Sequence, residues 1–451
     1  MQMGRELSSF RDPEGFVFLD KGKIKRFLSS EAAVSRMRDF LTSDVYQRKL
    51  KGLLIDTCML DNILVHERVP VVTYPYEWSF SMLANAALTQ LSIMEELVPN
   101  GYILKDGSAY NCLYHKGDMV FIDILSIGKV DKELLWNGYH QFCEHFLYPL
   151  MLKAYKKINF QDWWVGCGDG ISTQNFRNLL TKADLFKKGV FLHVFVKSAL
   201  NKMVSRETVI DKKGLQNRSA ESSIIKLVKN LKDVVQYLKE YRSSSMWTDY
   251  SESNSYSQSD REEKHKFVKR FVSSYEISQL VDLGCNTGEY SEVAAEHVPH
   301  VISVDYDQDC IDQIYLKIQQ GKVSSRIVPV VGNIVHLSPS IGWNLEERRG
   351  LLYRLKSDAF LAVALIHHIC ISNNVPLEYF VMFLREIGEV GVVEWIDIDD
   401  PMVRVLLKNR ENVFSGYTWE NFKSIVEKYF FIKEVYEFSG MKRKLCLLEG
   451  R

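Results

Sequence analysis

The chain has 451 residues and a mass of 52.3 kDa, which is more than one ordinary hydrophobic core supports and predicts two or three domains. Hydrophobic residues make up 46% and charged residues 25%, a balance that excludes a disordered chain. Basic and acidic side chains both number 57, so the formal net charge is zero. A zero net charge argues against a dedicated nucleic-acid-binding protein, whose phosphate contacts need a basic excess.

Targeting and metal-binding signals are also missing from the sequence. The first residues contain no apolar stretch typical of a secretory signal, and no segment approaches the ~18 apolar residues of a membrane span. We therefore expect a cytoplasmic protein without a membrane span. The eight cysteines are never closer than 24 positions, a spacing that predicts reduced thiols and no bound metal.

The amino-terminal half carries one polar constellation. Asn111 stands five positions after Asp106, and Asp123 follows a predicted hairpin. This order resembles the catalytic loop and metal-binding aspartate of kinase-like phosphotransferases, and it implies a nucleotide and magnesium site at these three residues. However, the range 1–75 offers no glycine-rich phosphate loop and no evident strand lysine, and Ile124 replaces the usual aromatic residue. A β-hairpin with Asp and Asn at its turns is the structural alternative.

A helix and a serine-rich segment separate the two halves. Residues 222–242 place apolar side chains at helical spacing and predict an amphipathic helix. Residues 243–260 contain eight serines and few aliphatic side chains, so we expect no packed element there. We place the boundary near residue 245, with an accessory α+β domain of degenerate kinase-like pattern over 1–245 and a second domain over 246–451.

The zero net charge is the sum of two unlike halves. Residues 1–245 carry 34 basic and 27 acidic side chains, and residues 246–451 carry 23 and 30. Most of the basic excess lies in 151–245, with 18 basic and 8 acidic side chains. A solvated helical surface is the ordinary interpretation. An anionic acceptor is the alternative, and the absence of interleaved aromatic residues argues against nucleic acid as that acceptor.

Strand-like and helix-like segments alternate in the carboxy-terminal half. The first three predicted strands are 279–283, 301–304 and 327–331, and the helices between them are 289–297 and 308–319. Such alternation predicts a parallel, doubly wound sheet. Ligands bind outside the carboxyl ends of the strands in sheets of this type.

The turn after the first of these strands predicts an adenosine-type site. Gly284 and Gly288 let the backbone pass close to a ligand, and Asp282 braces the turn. Asp305, at the end of the second strand, can accept both hydroxyls of a ribose. The pattern is D-x-G-x-N-x-G rather than the G-x-G-x-x-G of a dinucleotide site.

This motif resembles the glycine-rich motif of the class I S-adenosylmethionine-dependent methyltransferases. It departs from that family at Asn286, and asparagine tolerates left-handed torsions. The resemblance implies the family's seven-stranded Rossmann-like sheet with a terminal hairpin, whose other strands are expected at 358–364, 390–395, 430–438 and 442–449. It also implies S-adenosyl-L-methionine as cofactor, bound by Asp282, Gly284, Cys285, Asn286, Gly288, Asp305, Tyr306, Asn333 and Ile334.

A second set of residues narrows the resemblance. It resembles a bacterial methyltransferase group that includes host-specific nodulation proteins. The set comprises Trp343 with Glu347 and Arg348, the segments 364–368 and 373–377, Glu394, and the segment 400–403. This resemblance implies no defined methyl acceptor.

Candidate bases follow the fourth and fifth predicted strands. Transfer to an oxygen requires removal of a proton, and histidine suits that task near neutral pH. His367 and His368 follow the fourth strand, although one of them could only brace the backbone. Glu394, at the end of the fifth strand, is the competing base.

Three hypotheses follow from the sequence. The first is a methyltransferase acting on an oxygen or nitrogen of a saccharide or small metabolite. The second adds an ATP-dependent phosphotransferase in the amino-terminal half, and the third is a non-catalytic sensor of an adenosine ligand. The sequence does not define the oligomeric state.

Overall fold

The structure is a computed structural model that describes residues 5–130, 136–196, 217–243, 245, 258–408, 414–438 and 441–451. The chain divides into two compact units. Unit 1 comprises Met1–Ser243 with Ser340–Arg348, and unit 2 comprises Ser244–Pro339 with Arg349–Arg451. The excursion of residues 340–348 into unit 1 was not expected from the sequence. Most of the serine-rich segment 243–260 lies outside the described residues.

Unit 1 begins with a four-stranded antiparallel sheet and one helix. The strands are β1 (Gly15–Asp20), β2 (Lys23–Leu28), β3 (Thr57–Leu60) and β4 (Ile63–His66), in the order β1-β2-β4-β3. Lys21 and Gly22 both have positive φ, which the tight turn between β1 and β2 requires. Helix α1 (Glu31–Leu41) begins where the Ser30 side chain accepts a hydrogen bond from the amide of Ala33.

A largely buried helix and two small hairpins follow. Helix α2 spans Phe80–Leu97, and the paired strands are β5 (Tyr102–Leu104) with β8 (Ile127–Lys129), and β6 (Cys112–His115) with β7 (Asp118–Phe121). The β6–β7 pair confirms the hairpin predicted between Asn111 and Asp123. Its turn uses Lys116 and Gly117, both at positive φ.

The remainder of unit 1 is helical. Its helices are α3 (Tyr139–Phe142), α4 (Tyr148–Lys156), α5 (Gln161–Gly166), α6 (Thr173–Asn178) and α7 (Asn217–Lys239). Helix α7 confirms the amphipathic helix predicted before the serine-rich segment. It packs against α2 and buries Val228, Leu231 and Val235, because apolar residues three or four positions apart share one face.

Unit 2 is built on one seven-stranded sheet, which confirms the predicted Rossmann-like plan. The strands are β9 (Gln279–Leu283), β10 (His300–Asp305), β11 (Ile327–Val331), β12 (Ala359–Ala362), β13 (Val390–Ile396), β14 (Phe430–Glu437) and β15 (Arg443–Gly450). The order is β11-β10-β9-β12-β13-β15-β14. The first five strands are parallel, and β15 is antiparallel to both of its neighbours.

Helices alternate with these strands. They are α8 (Gln258–Ser274), α9 (Glu289–Ala295), α10 (Gln308–Gln319), α11 (Leu351–Leu355), α12 (Leu377–Ile387), α13 (Pro401–Leu407) and α14 (Trp419–Tyr429). All residues of β11 and β13 are buried, as expected of parallel strands covered on both faces. Strand order reverses between β9 and β12, so their carboxyl ends form the crevice where ligands bind in such sheets.

Two further properties concern the described part of the chain. None of its helices combines the length and apolar character needed to cross a membrane. Within the same residues, no cluster of three or more His, Cys, Asp or Glu side chains is arranged to hold a metal ion. All eight cysteines are free thiols.

Close packing of β13 against β12 predicts the effect of adding one methyl group. A Cβ atom at Gly391 would lie 2.4 Å from the ring of Phe360, so Gly391→Ala should destabilise unit 2 by about 1–3 kcal/mol. Gly416→Ala is the matched control, because its Cβ atom would make only an ordinary contact at 3.6 Å. Urea unfolding followed by limited proteolysis would measure both variants, and equal stability of the two would contradict the packing described here.

Candidate functional site

The turn after β9 is tightly constrained. Gly284, Asn286 and Gly288 have φ values of 68°, 50° and 89°, so Asn286 adopts a left-handed torsion that asparagine tolerates. The amides of Gly284 and Cys285 both donate to the carbonyl of Val304 on β10, at 2.8 and 3.1 Å. A Cβ atom at Gly284 would lie 2.9 Å from Leu365. The turn therefore needs glycine for both torsion and space.

Asp305 closes this turn from the end of β10. Its carboxylate oxygens accept hydrogen bonds from the amides of Asn286 and Asp307, each at 2.9 Å. Burial raises the pKa of Asp305 to about 6, and the two amides oppose that shift. A carboxylate oxygen can accept more than one hydrogen bond. The group therefore retains capacity for the ribose hydroxyls assigned to it from the sequence.

Asp282 lies in the interior beneath the turn. Its Oδ2 atom accepts a hydrogen bond from the Ser291 hydroxyl at 2.6 Å, and Ser303 donates to Ser291 at 2.7 Å. Burial raises the pKa of Asp282 to about 7, and the nearby charge of Asp305 adds to the shift. Asp282 thus joins β9 to α9, a contact that the sequence did not reveal because a serine inside a helix is not distinctive.

The other predicted cofactor residues surround the same turn. The amide of Gly332 donates to the carbonyl of Asp305 at 2.8 Å, which brings the loop of Asn333 and Ile334 beside the end of β10. The Asn333 side-chain oxygen accepts from the amide of Val335 at 3.0 Å and keeps one further acceptor position. Tyr306 is 56% exposed. Cys285 is buried, and burial raises the pKa of its thiol.

The two candidate histidines follow β12. Their ring centroids are 4.1 Å apart, and His367 is 2% exposed. Burial lowers the pKa of both, and for His367 the charges of His368, Arg443 and Lys264 lower it further. Both imidazoles are therefore neutral near pH 7. Within the described part of the chain, Nδ1 of His367 has no hydrogen-bond partner.

Glu394 is engaged in a buried ion pair. Its Oε2 atom accepts from the Lys264 ammonium at 2.8 Å and from the Ala364 amide at 2.9 Å. Lys264 is 1% exposed and Glu394 is fully buried. Burial lowers the pKa of Lys264, and the carboxylate opposes that shift. Because Glu394 lies in an apolar strand, its sequence position predicts that a cation neutralises the carboxylate. The hydrophobic periodicity of α8 does not identify Lys264 as that cation.

A second buried ion pair joins Asp400, which follows β13, to Arg443 at the start of β15. The guanidinium of Arg443 donates to both carboxylate oxygens of Asp400, at 2.7 and 3.0 Å. Asp400 also caps α13 by accepting from the amide of Met402. Through these contacts Asp400 stabilises the loop after β13.

The charged residues of segment 340–348 contact side chains of unit 1. Glu347 accepts two hydrogen bonds from the Arg11 guanidinium, at 3.1 and 3.2 Å. The Arg348 guanidinium lies 3.7 Å from the ring centroid of Tyr110, a cation–π contact. Trp343 is 71% exposed. These residues therefore belong to unit 1 by packing, although the sequence places them within the methyltransferase-like half.

The kinase-like constellation also lies in unit 1. Burial raises the pKa of Asp106, and the charge of nearby Asp123 raises it further. The amide of Ile122 donates to the carbonyl of Asn111 at 2.8 Å. Arg26, on β2, donates to Asp123 at 3.0 Å. The charge of Asp123 thus acts on Asp106, and Arg26 is a partner of Asp123 that the sequence did not indicate.

The strand order and the site together define a class of protein. The class I methyltransferase fold has a parallel sheet in the order β11-β10-β9-β12-β13 and an antiparallel terminal hairpin, as found here. It also has a glycine turn after the strand equivalent to β9 and an acid at the end of the strand equivalent to β10. S-adenosyl-L-methionine is the cofactor of this fold. The hydrogen-bond acceptors of Asp305 and Asn333 and the glycine turn after β9 fit an adenosyl ligand.

The comparison with curated proteins places the chain in a family. No protein-family model matches the sequence. The chain is 32% identical over 463 residues to the nodulation protein NoeA of Rhizobium meliloti (strain 1021). The match covers 99% of this chain and 96% of that protein. The chain therefore belongs to the family of the nodulation protein NoeA.

Solved structures show more distant likenesses. The N-methyltransferase NodS from Bradyrhizobium japonicum WM9, in complex with S-adenosyl-L-homocysteine, is 12% identical with a TM-score of 0.32; the match covers 46% of this chain and 99% of NodS. The bifunctional kinase-methyltransferase WbdD is 13% identical with a TM-score of 0.31, over 46% of this chain and 43% of WbdD. These likenesses are too distant to assign residues or substrates.

The raised pKa of Asp282 predicts how stability depends on pH. The folded state holds a proton up to about pH 7, whereas the unfolded carboxyl releases it near pH 3.9. The protonated Asp282 carboxyl therefore makes its full contribution to the free energy of unfolding below pH ~4. That contribution, on the order of 4 kcal/mol, is lost as the pH rises to ~7. Asp282→Asn should flatten the pH dependence of unit 2 unfolding between pH 4.5 and 7.5.

Glu386→Gln provides the control, because it neutralises an acid that is exposed on α12 rather than buried. Urea unfolding with limited proteolysis at each pH would measure the free energy of unfolding of unit 2. If the curves of the Asp282→Asn variant and the wild type stay parallel, Asp282 does not carry the buried proton.

Proposed function

We propose that this protein transfers a methyl group from S-adenosyl-L-methionine to an oxygen or nitrogen of a saccharide or small metabolite. One observation carries this proposal. The glycine turn after β9 and the Asp305 carboxylate meet at the carboxyl ends of adjacent parallel strands, beside the point where strand order reverses. This is the crevice where nucleosides bind in doubly wound sheets.

Each cofactor residue has a role that its position supports. Asp305 accepts the ribose hydroxyls, and the turn of Gly284, Asn286 and Gly288 leaves room for the amino-acid end of the cofactor. Asp282 stays protonated below pH 7 and supports the turn through Ser291. The adenine lies beside Asn333 and Ile334, with Tyr306 and Cys285 at the edges of the site.

We assign the role of base to His367. When bound, the cofactor supplies an electrophilic methyl group on a sulfonium sulfur. The acceptor oxygen or nitrogen bonds to the methyl carbon, and the electron pair of the broken carbon–sulfur bond stays on sulfur. His367, neutral and with Nδ1 unpartnered, takes the acceptor proton and later releases it to solvent. His368 and Glu394 are the alternatives, and the ion pair of Glu394 with Lys264 favours the histidine.

The ribose assignment predicts a pH-dependent affinity. Asp305 accepts hydrogen bonds best when ionised, and its pKa is raised to about 6. The affinity for S-adenosyl-L-methionine should therefore rise as the pH rises from 5 to 7. Asp305→Asn should weaken binding at pH 7.5 by about 10- to 100-fold, the effect of losing a charged hydrogen-bond acceptor, and should remove the pH dependence.

Isothermal titration calorimetry of the full chain would measure these affinities, with Glu386→Gln as a control that changes an exposed acid of the same unit. Circular dichroism would establish that the Asp305→Asn protein is folded. Wild-type affinity in the folded variant would refute the assignment of Asp305 to the ribose.

Phosphotransfer by unit 1 is the second candidate function. The observation that favours it is the order of Asp106, Asn111, the β6–β7 hairpin and Asp123 along the chain, which is the order found in kinase-like catalytic loops. In this function Asp123 would hold a magnesium ion, and Asn111 would supply a second oxygen ligand. Arg26 would have to release Asp123 for this purpose.

A calorimetric titration with ATP and magnesium tests this second function. This function predicts ATP binding that depends on magnesium and that Asp123→Ala abolishes. Asp162→Asn, which changes an exposed acid of the same unit, leaves it intact. Absence of heat from the wild-type protein at millimolar ATP would eliminate this function.

A further inference from the structure

The buried pair of Lys264 and Glu394 is not explained by stability. Lys264 lies on α8 and Glu394 on β13, and both are almost inaccessible to solvent. Removing two charges from water is costly, and an apolar pair of similar volume usually stabilises a fold as well or better. A buried ion pair in an otherwise apolar strand therefore points to a role beyond packing.

The second hydrogen bond of Glu394 indicates that role. The same Oε2 atom that binds Lys264 accepts the amide of Ala364. Ala364 has a φ of 54°, a left-handed torsion that is unfavourable for residues other than glycine, asparagine and aspartate. Such strain persists only where surrounding contacts hold it. Glu394 provides one such contact.

Ala364, the residue with the strained torsion, lies three positions before His367, the candidate base. The chain turns at Ala364 as it leaves β12, and His367 follows three residues later. The amide of His368 donates to the carbonyl of Leu365 at 2.9 Å, so the turn continues as one hydrogen-bonded segment. Any relaxation at Ala364 therefore moves the ring of His367.

We propose that Lys264 and Glu394 are positioning residues, which hold the Ala364 turn in its left-handed conformation and so place the His367 imidazole for methyl transfer. Lys264 neutralises Glu394 and orients its carboxylate toward the Ala364 amide. This inference rests on the proposed methyltransferase function, and it gives Glu394 a different role from that of a base. Neither Lys264 nor Glu394 needs to touch the acceptor.

Two matched double variants separate positioning from stability. Lys264→Met/Glu394→Met replaces the ion pair with an apolar pair that cannot accept the Ala364 amide. Lys264→Met/Glu394→Gln also removes both charges, but the glutamine oxygen can still accept that amide. Lys269 lies on the same helix as Lys264 and forms an exposed ion pair with Glu296, so Lys269→Met is the control for a charge change on α8.

The readout is the imidazole spectrum of His367 in full-length protein labelled at histidine with ¹³C and ¹⁵N. The chain has 11 histidines, and His367→Gln assigns the resonance by its loss. The Met/Met variant should displace the His367 resonance at pH 7.5, whereas the Met/Gln and Lys269→Met variants should retain the wild-type position. Thermal melting establishes that each variant is folded.

Two results would overturn the proposal. One is a wild-type His367 resonance in the folded Met/Met variant. The other is a displaced His367 resonance in the folded Met/Gln variant. This second result would refute the positioning role even if the Met/Met variant does not fold. Calorimetry with S-adenosyl-L-methionine is independent of this test. Failure of the wild-type protein to bind the cofactor refutes the proposed function, whereas the His367 spectrum reports only the positioning.

Discussion

Burial of carboxylates at the carboxyl ends of parallel strands is the constraint on which the rest of unit 2 depends. Three strands of this apolar sheet, β9, β10 and β13, carry buried acids near their carboxyl ends, and each acid is satisfied differently. Asp282 keeps a proton and binds a serine, Asp305 collects backbone amides, and Glu394 pairs with a lysine. Because an unsatisfied buried charge is prohibitively costly, each acid determines its own surroundings. Those surroundings are the glycine turn, the start of α9 and the turn at Ala364.

Much of this unit could be predicted from the sequence. Apolar strands buried on both faces, alternating with helices, produce a strong local pattern, and all seven strands were expected close to their observed bounds. The cofactor turn was also predictable, because Gly284 and Gly288 occupy positions that other residues adopt with difficulty. The left-handed torsion of Asn286 follows from the same reasoning.

The supporting contacts could not be predicted, because they join residues far apart in the chain. Lys264 precedes Glu394 by 130 positions, and its helix presents several other cations at similar spacing. The placement of residues 340–348 in unit 1 depends on Arg11 and Tyr110, and no local pattern announces such partners. The same applies to Arg26 and Asp123, which lie 97 positions apart in the chain.

Binding of S-adenosyl-L-methionine in the crevice of unit 2 depends most directly on the proposed contact between Asp305 and the ribose. A crystal structure of the full chain with S-adenosyl-L-homocysteine would test that contact most directly. The predicted result places both ribose hydroxyls within hydrogen-bonding distance of the Asp305 carboxylate, with the adenine beside Asn333. A ligand bound elsewhere on unit 2, or with its ribose directed away from Asp305, would contradict it.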